Sequence, residues 1–442
     1  MSIPARFPAT LESVPRRRTG WRWIGAGILL AAGAIAVYAA LWPDAPFRDT
    51  DTTEYLQAAR AIATGHLEVY QPRTPGLPLF TLLAGTGRAF FLLSLALHMT
   101  AVGLLAAVLR GMRVSGRLTA LFAAAAVLPS FVQKDAYVLT EGLFEFLTAA
   151  GFAALWGRRL SPTRLMLGGT AFALAALTRP QGQLLPFVFA ALLLFYYGRR
   201  EGLRRAAYLL APFCLLVGSV MVNNLVRYGN PNLTYDLGFH VGTRTVTLFE
   251  DIPDPQVRRV MVETRNAAYG DPNRNPIWTS LYTRPELMKL TGKTAPELAG
   301  YMLQIHLHLI LGHPLAYLEE VGRATIHFWL PDLSKRTNRR AAVRVVSTAT
   351  QLTLSALFLA LAVLWTGLGM ARRLLPPAPA WLADTPQRFL FTAGMATVAY
   401  TEALCTALDM GEARYRSTVE LVMLFLLVAA ADFLGKRRRA AG

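Results

Sequence analysis

Long apolar runs recur along this chain from end to end, and runs of that kind leave few folds open. About 20 apolar residues span the hydrocarbon of a bilayer as a helix, and backbone polar groups in lipid are satisfied only inside helices or closed barrels. The runs fall near 23–41, 88–109, 118–131, 138–156, 165–177, 182–197, 206–226, 345–370, 389–408 and 417–434. They predict an all-α polytopic membrane protein with about ten transmembrane helices, the shorter polar-flanked runs widening the range to nine to twelve. Composition agrees: 54% of the 442 residues are hydrophobic and 16% charged, against about 25% charged in an ordinary soluble domain. A soluble enzyme, a disordered chain and a fibrous protein are excluded.

The charges orient this layout. The net charge is +18, from 45 Lys+Arg and 27 Asp+Glu. In a soluble protein that would suggest nucleic acid; here topology is the plainer source, because Lys and Arg hold cytoplasmic loops inside. With the N-terminus inside, segments 1–22, 110–117, 157–164, 198–205, 371–388 and 435–442 carry 22 of the Lys+Arg. They include Arg16-Arg17-Arg18, Arg199-Arg200 and Lys436-Arg437-Arg438-Arg439. Both termini are therefore expected in the cytoplasm, and the membrane is expected to be the bacterial inner one. The first run lacks a small-residue cleavage site and reads as a retained signal anchor. Cys214 and Cys405 lie in apolar stretches, so no disulfide framework follows.

Three parts are expected: an N-terminal transmembrane module, 1–226, of about seven spans with a first external loop at 43–87; a long external, periplasmic segment, 227–344; and a C-terminal module, 345–442, of about three spans. The long segment has turn chemistry at Tyr228-Gly229-Asn230-Pro231 and two helices predicted over 296–311 and 314–330, whose proline starts and apolar stripes suit a membrane face.

Candidate chemistry gathers on the outer side. Asp49, Asp51 and Glu54 crowd into six residues after the first span, with Thr52 and Thr53 placed to begin a helix. A carboxylate fixed beside a helix start suits a general base; the plainer reading is a capped surface helix. Arg73 is the only fixed cation in the rigid turn Gln71-Pro72-Arg73-Thr74-Pro75-Gly76-Leu77-Pro78; it could bind a lipid phosphate, and the plainer reading is interfacial anchoring. Glu141 and Glu145 stand one turn apart on an apolar helix, and intramembrane acids are functional by default. Arg179 sits in an outer turn, and Arg414 and Arg416, with Tyr415 between them, in the last one; paired arginines fit a phosphate clamp. The histidines lack metal-site spacing and read as structural. No Walker loop, dinucleotide fingerprint or nucleophile elbow is present.

Taken together these motifs resemble the GT-C glycosyltransferases, multi-span enzymes using lipid-phosphate-linked sugars, and within them the bacterial relatives of protein O-mannosyltransferases and the lipid A aminoarabinose transferase. Asp51-Thr52-Thr53-Glu54-Tyr55 is similar to the acidic first loop, and Arg73-Thr74-Pro75-Gly76-Leu77-Pro78 to the re-entry motif. Leu139-Thr140-Glu141, Leu177-Thr178-Arg179-Pro180-Gln181-Gly182 and Arg414-Tyr415-Arg416 follow in order, as does His313-Pro314-Leu315-Ala316-Tyr317-Leu318. Many members carry adjacent acids in the first loop; here Thr50 separates Asp49 from Asp51. The resemblance implies an inverting transfer from a polyprenyl-phosphate sugar to the hydroxyl of a glycan, lipid or protein acceptor. Asp51 would be the base, with Asp49 and Glu54 the neighbouring catalytic acids. Arg73, Arg179, Arg414 and Arg416 would hold the donor phosphate, and Tyr55, Glu141 and Tyr415 would support acceptor or site. No cofactor is firmly implied; a divalent metal on Glu54 or Glu141 stays open, with metal-independence favoured. A lipid or glycan transporter or flippase, and a polyprenyl-diphosphate oligosaccharide ligase or polymerase, are the alternatives.

Overall fold

A computed structural model describes residues 20–65, 73–157, 160–271, 274–331, 340–371, 385–409 and 411–441. Gln71-Pro72, the cluster Arg16-Arg17-Arg18 and most of segment 371–388 lie outside them. Among the described residues the protein is all-helical; the only extended pairing is an isolated parallel bridge between Phe47 and Tyr137.

The helices in order are α1 Gly20–Leu41, α2 Thr52–Thr64, α3 Gly76–Ala84, α4 Arg88–Gly111, α5 Gly116–Ala126, α6 Pro129–Val132, α7 Glu141–Leu155, α8 Pro162–Thr178 and α9 Leu185–Tyr228. They continue with α10 Leu237–Val241, α11 Pro255–Tyr269, α12 Thr279–Tyr282, α13 Arg284–Thr291, α14 Ala295–Gly312, α15 Pro314–Trp329, α16 Ala341–Ala371, α17 Thr385–Leu408, α18 Ala413–Arg416 and α19 Glu420–Ala441. Starts follow local chemistry. Ser161 caps α8, accepting from the Arg164 N–H with Pro162 in the first turn, and Thr294 and Glu297 close a reciprocal capping box on α14.

Among the described residues three helices are long and apolar enough to cross a membrane: Arg88–Gly111, Pro180–Tyr228 and Ala341–Gly367. A further apolar pair, Gly116–Ala126 and Pro129–Ala136, meets at 59°, the shape of a broken span or a re-entrant loop. Pro129 has no N–H to continue the helix and holds Leu128 extended, so the run expected as one span bends there. α7 and α8, at 15 and 17 residues, fall short of the span length. The expected spans 182–197 and 206–226 are two arms of α9, broken only at Gly198 (φ 74°, ψ 170°). Arg199 to Arg205 are helical rather than a loop.

The main core is formed by α4, α5, α7, α8, α9, α16, α17 and α19. Phe189 is its aromatic centre, its ring 4.6 Å from Phe172 and 5.5 Å from Phe152. Large apolar side chains such as Leu83, Phe195, Leu215 and Val226 face outward, as lipid-facing surface requires. A separate core, with Phe239, Phe249, Met261, Leu298 and Met302, lies in the helices between α9 and α15. His306 is buried there and its Nδ1 meets Thr245 Oγ1 at 2.8 Å; burial holds its pKa down at about 3, the behaviour of a structural histidine. The helices expected over 296–311 and 314–330 correspond to α14 and α15.

Candidate active site

Asp51 stands at the N-cap position of α2, but its carboxylate does not cap the helix. Thr52 works locally instead: its hydroxyl accepts from the Asp49 N–H at 2.9 Å and donates to the Val138 carbonyl at 3.2 Å, pinning the start of α2 against the segment before α7. The Asp51 carboxylate is thereby free to pair on both sides. Oδ1 meets Arg73 Nη2 at 2.9 Å and Oδ2 meets Arg414 Nη2 at 2.7 Å. Burial alone would raise this carboxyl's pKa. The guanidinia of Arg414 and Arg73, with Arg179 behind them, outweigh burial and hold it well below the usual carboxylate range.

Arg73 is aimed by the turn that carries it. The Thr74 hydroxyl donates to the Thr178 carbonyl at 2.8 Å, and α3 begins at Gly76 against the end of α8. A Cβ on Gly76 would lie 2.7 Å from the Leu177 carbonyl oxygen and 2.8 Å from Thr178 Cα, so only glycine allows this approach. Arg73 Nε also meets Glu54 Oε2 at 2.8 Å, and its guanidinium covers the Tyr55 ring at 5.1 Å.

Arg179 and Arg414 converge on Glu141 from opposite ends of the sequence. Arg179 follows α8 and places Nη1 2.9 Å from Glu141 Oε1 and 2.7 Å from Thr140 Oγ1, to which it donates. Arg414 Nε reaches the same Oε1 at 2.5 Å. Tyr415 lies beneath Arg179 at 5.2 Å. The turn bearing Arg414 passes close under α15: Gly411 has φ 64°, and a Cβ there would lie 2.6 Å from the Ala324 carbonyl oxygen. The result is an alternating row, Glu54–Arg73–Asp51–Arg414–Glu141–Arg179, in which each carboxylate faces guanidinium on two sides once Arg284 is counted beside Glu54 at 3.5 Å.

This row borders a cavity of about 350 Å³, in the size range of small-ligand sites. Asp51, Tyr55, Arg73, Arg179, Arg414 and Tyr415 line it, together with the apolar Leu184, Leu233, Leu237, Leu404 and Leu408. Glu54 and Glu141 stand behind the arginines and do not line it. Asp51 is thus the carboxylate of the row that a ligand would meet.

Two expected site residues are placed elsewhere. Asp49 does not line the cavity; its Oδ1 accepts from the N–H and hydroxyl of Thr50 at 2.7 and 3.1 Å, a local turn. Arg416 is fully buried and does not join a clamp. Its Nη1 donates to the carbonyls of Phe328 and Leu330 at 2.7 and 3.0 Å, and its Nε meets Glu420 at 3.1 Å, tying α19 to the end of α15. Glu145, one turn from Glu141, faces away from the cavity row: its Oε1 meets His98 and Lys134, each at 3.1 Å.

Sequence reasoning missed three cavity residues. Asp236 and His240 come from the start and end of the short α10, and Asp409 from the turn before Arg414. His240 Nδ1 lies 3.4 Å from Asp409 Oδ1, and Arg284 joins Asp236 at 3.3 Å to Glu54. Nothing in the sequence marks Asp236 and His240, because α10 has neither a motif nor a long apolar period.

A metal on Glu54 or Glu141 does not fit this donor set. Each is already in contact with two guanidinia, whose charge repels a cation, and among the described residues no group of three or more His, Cys, Asp or Glu is placed to hold one.

No protein-family model and no curated protein matches the chain. Among solved structures it is similar to the Archaeoglobus fulgidus oligosaccharyltransferase AglB in complex with an inhibitory peptide and a dolichol-phosphate, at 12% identity and a TM-score of 0.46, covering 95% of this chain and 52% of that one. The apo form of an A. fulgidus oligosaccharyltransferase gives 13% identity, a TM-score of 0.49 and the same coverage. ArnT from Cupriavidus metallidurans bound to undecaprenyl phosphate gives 12% and 0.40, covering 94% of this chain and 78% of that one. The chain spans about half the length of the oligosaccharyltransferases it matches.

Proposed function

We propose that this membrane protein is a GT-C-type glycosyltransferase that moves a sugar from a polyprenyl-phosphate donor to an acceptor hydroxyl on the outer face of the bacterial inner membrane. The observation that carries the reading is the cavity itself, whose lining pairs three arginines and Asp51 with five leucines. A lipid phosphate needs both kinds of residue. The motif resemblance of the first loop, the re-entry turn and the last outer turn points the same way.

In the proposed reaction Asp51 takes the proton of the acceptor hydroxyl. The acceptor oxygen attacks the anomeric carbon from the face opposite the phosphate. The bond from that carbon to the phosphate oxygen breaks, its electron pair leaves with the polyprenyl phosphate, and configuration inverts. Arg73, Arg179 and Arg414 lie where the leaving charge grows, and fixed donors aimed at developing charge are the largest catalytic effect such a site offers. The leaving phosphate needs no proton, so one carboxylate suffices.

The ion pairs of Asp51 add a condition. A carboxylate held by two guanidinia is a weak base. The donor phosphate competes for the same N–H groups, and in the row only Asp51 faces the cavity. Donor binding would therefore draw Arg73 and Arg414 toward phosphate and return basicity to Asp51. The test is Asp51→Asn. It should cut the transfer rate by about 10²–10⁴-fold, the range for losing a general base, while binding bare polyprenyl phosphate at least as tightly as the wild type. Full activity in a folded Asp51→Asn protein would remove Asp51 from the base role, and loss of phosphate binding would remove the competition.

A further inference from the structure

Arg284 lies outside the cavity lining yet reaches two carboxylates that shape it. It opens α13 from a fixed start. Pro285 sits in the first turn, the Thr283 hydroxyl donates to the Thr279 carbonyl at 3.0 Å, and Leu287, one turn on, is buried in the core that holds Phe239 and Met302. From there its guanidinium covers the Phe239 ring at 5.5 Å. Nη2 meets Glu54 Oε1 at 3.5 Å, and Nη1 meets Asp236 Oδ1 at 3.3 Å. Glu54 stands on α2 between Asp51 and Tyr55, which line the cavity, and Asp236 lines it beside Leu237.

The two carboxylates that Arg284 holds are also those that compete with Asp51 for Arg73. Glu54 Oε2 contacts Arg73 Nε at 2.8 Å, and Asp236 attracts the same guanidinium from farther off. A guanidinium committed to carboxylates has fewer N–H groups and less charge left for a phosphate. Asp51 lines the cavity, so an anion arriving there meets its pair with Arg73 directly. Glu54 does not line the cavity, so no ligand inside it can take the place of Glu54 beside Arg73. A second cation on the far oxygen of Glu54 can weaken that hold, and Arg284 stands there. The planar guanidinium, with donors on both Nη atoms, serves both carboxylates at once where a point charge would serve one.

We propose that Arg284 is a positioning residue for the lipid phosphate: by engaging Glu54 and Asp236 it leaves Arg73 free to turn to the anion. It touches no substrate itself. This rests on the lipid-phosphate reading above and adds a residue outside the cavity that sets how tightly the phosphate is held.

Binding of bare polyprenyl phosphate to the full-length protein in nanodiscs tests it. Arg284→Gln and Arg284→Met, made separately so that one misfolded protein does not decide the matter, should each weaken binding by about three- to fivefold, the upper range for a partly exposed ion pair. In the Glu54→Gln background the same changes should cost no more than about twofold, because the carboxylate that would otherwise seize Arg73 is neutral. Asp236→Asn offers a second background, in which the cost should also be smaller than in the wild type. A residue that merely braced the fold would cost the same factor in all three. That result, or folded Arg284 variants that bind as tightly as the wild type, overturns the role while leaving the phosphate reading standing. If the wild type does not bind polyprenyl phosphate, the lipid-phosphate reading fails and the role of Arg284 with it.

Discussion

Arg414 and Arg416 stand two positions apart in the sequence and do unrelated work. Arg414 bridges Asp51 and Glu141 at the cavity, whereas Arg416 is spent on two carbonyls and Glu420 in the interior. Spacing announces paired arginines, but a short helix turns neighbours to different sides, and no local signal says which one meets the ligand. Arg416→Met should leave Glu420 buried without its partner and cost about 3–5 kcal/mol of stability, read as a lower thermal midpoint in detergent. Arg416→Met/Glu420→Leu should recover most of it. Donor binding per folded molecule should change in neither. Asp51 was legible, since three acids at a helix start are conspicuous; its two guanidinium partners were not, because they arrive from distant turns. Those partners predict a pH signature. The acid limb of kcat/KM, which reports the free enzyme, should lie at lower pH than the acid limb of kcat, which under the proposed function reports a donor complex with phosphate on the arginines. Coincident limbs would mean that the donor leaves the Asp51 pairs intact.

Among the elements, α3 and α14 show what a pattern reveals and what it hides. The proline and glycine around residue 76 announce a rigid turn, yet the reason for glycine is a contact with α8, which a single chain segment cannot disclose. Gly76→Ala should destabilise the protein by about 1–3 kcal/mol, the usual cost of overpacking, and lower activity beyond that loss, because the shift moves Arg73 away from Arg179. α14 was legible almost to the residue through its proline start and apolar stripe. The helix carries His306, held neutral by burial with a pKa of about 3, against about 6.5 in an unfolded chain. The unfolded chain binds the extra proton between those values, so stability is full above pH 6.5 and falls as pH drops below it, by at most about 1.4 kcal/mol per pH unit. His306→Gln should flatten that part of the difference between thermal midpoints at pH 7 and pH 5; an unchanged slope would place the sensitivity elsewhere. α9 taught the opposite lesson. A basic run between two apolar runs reads as a loop, but Arg205 lies over the Tyr197 ring at 3.8 Å and pairs with Glu201 at 2.7 Å, so the interval stays helical after the break at Gly198.

For the whole molecule, apolar periodicity was enough to give an all-helical membrane fold, because lipid offers so few alternatives. It was not enough to give the cavity, whose lining is drawn from segments near residues 51, 73, 180, 235, 405 and 414. The charge layout predicts a sidedness that can be measured. A reporter active only outside the cytoplasm should be active when inserted after Gly270 and inactive when fused after Gly442; activity at both sites would overturn the placement of the termini.

The pairing of Asp51 with Arg414 joins residues 363 positions apart. During synthesis Asp51 leaves the ribosome long before its second partner has been translated. Every earlier piece of the site must wait in the bilayer, incomplete, until the last helices insert. Under the proposed function, a nascent chain would therefore have no working site to act on stray lipid-linked sugars, and a chain cut short before Arg414 would lack the transfer activity however much of it had folded.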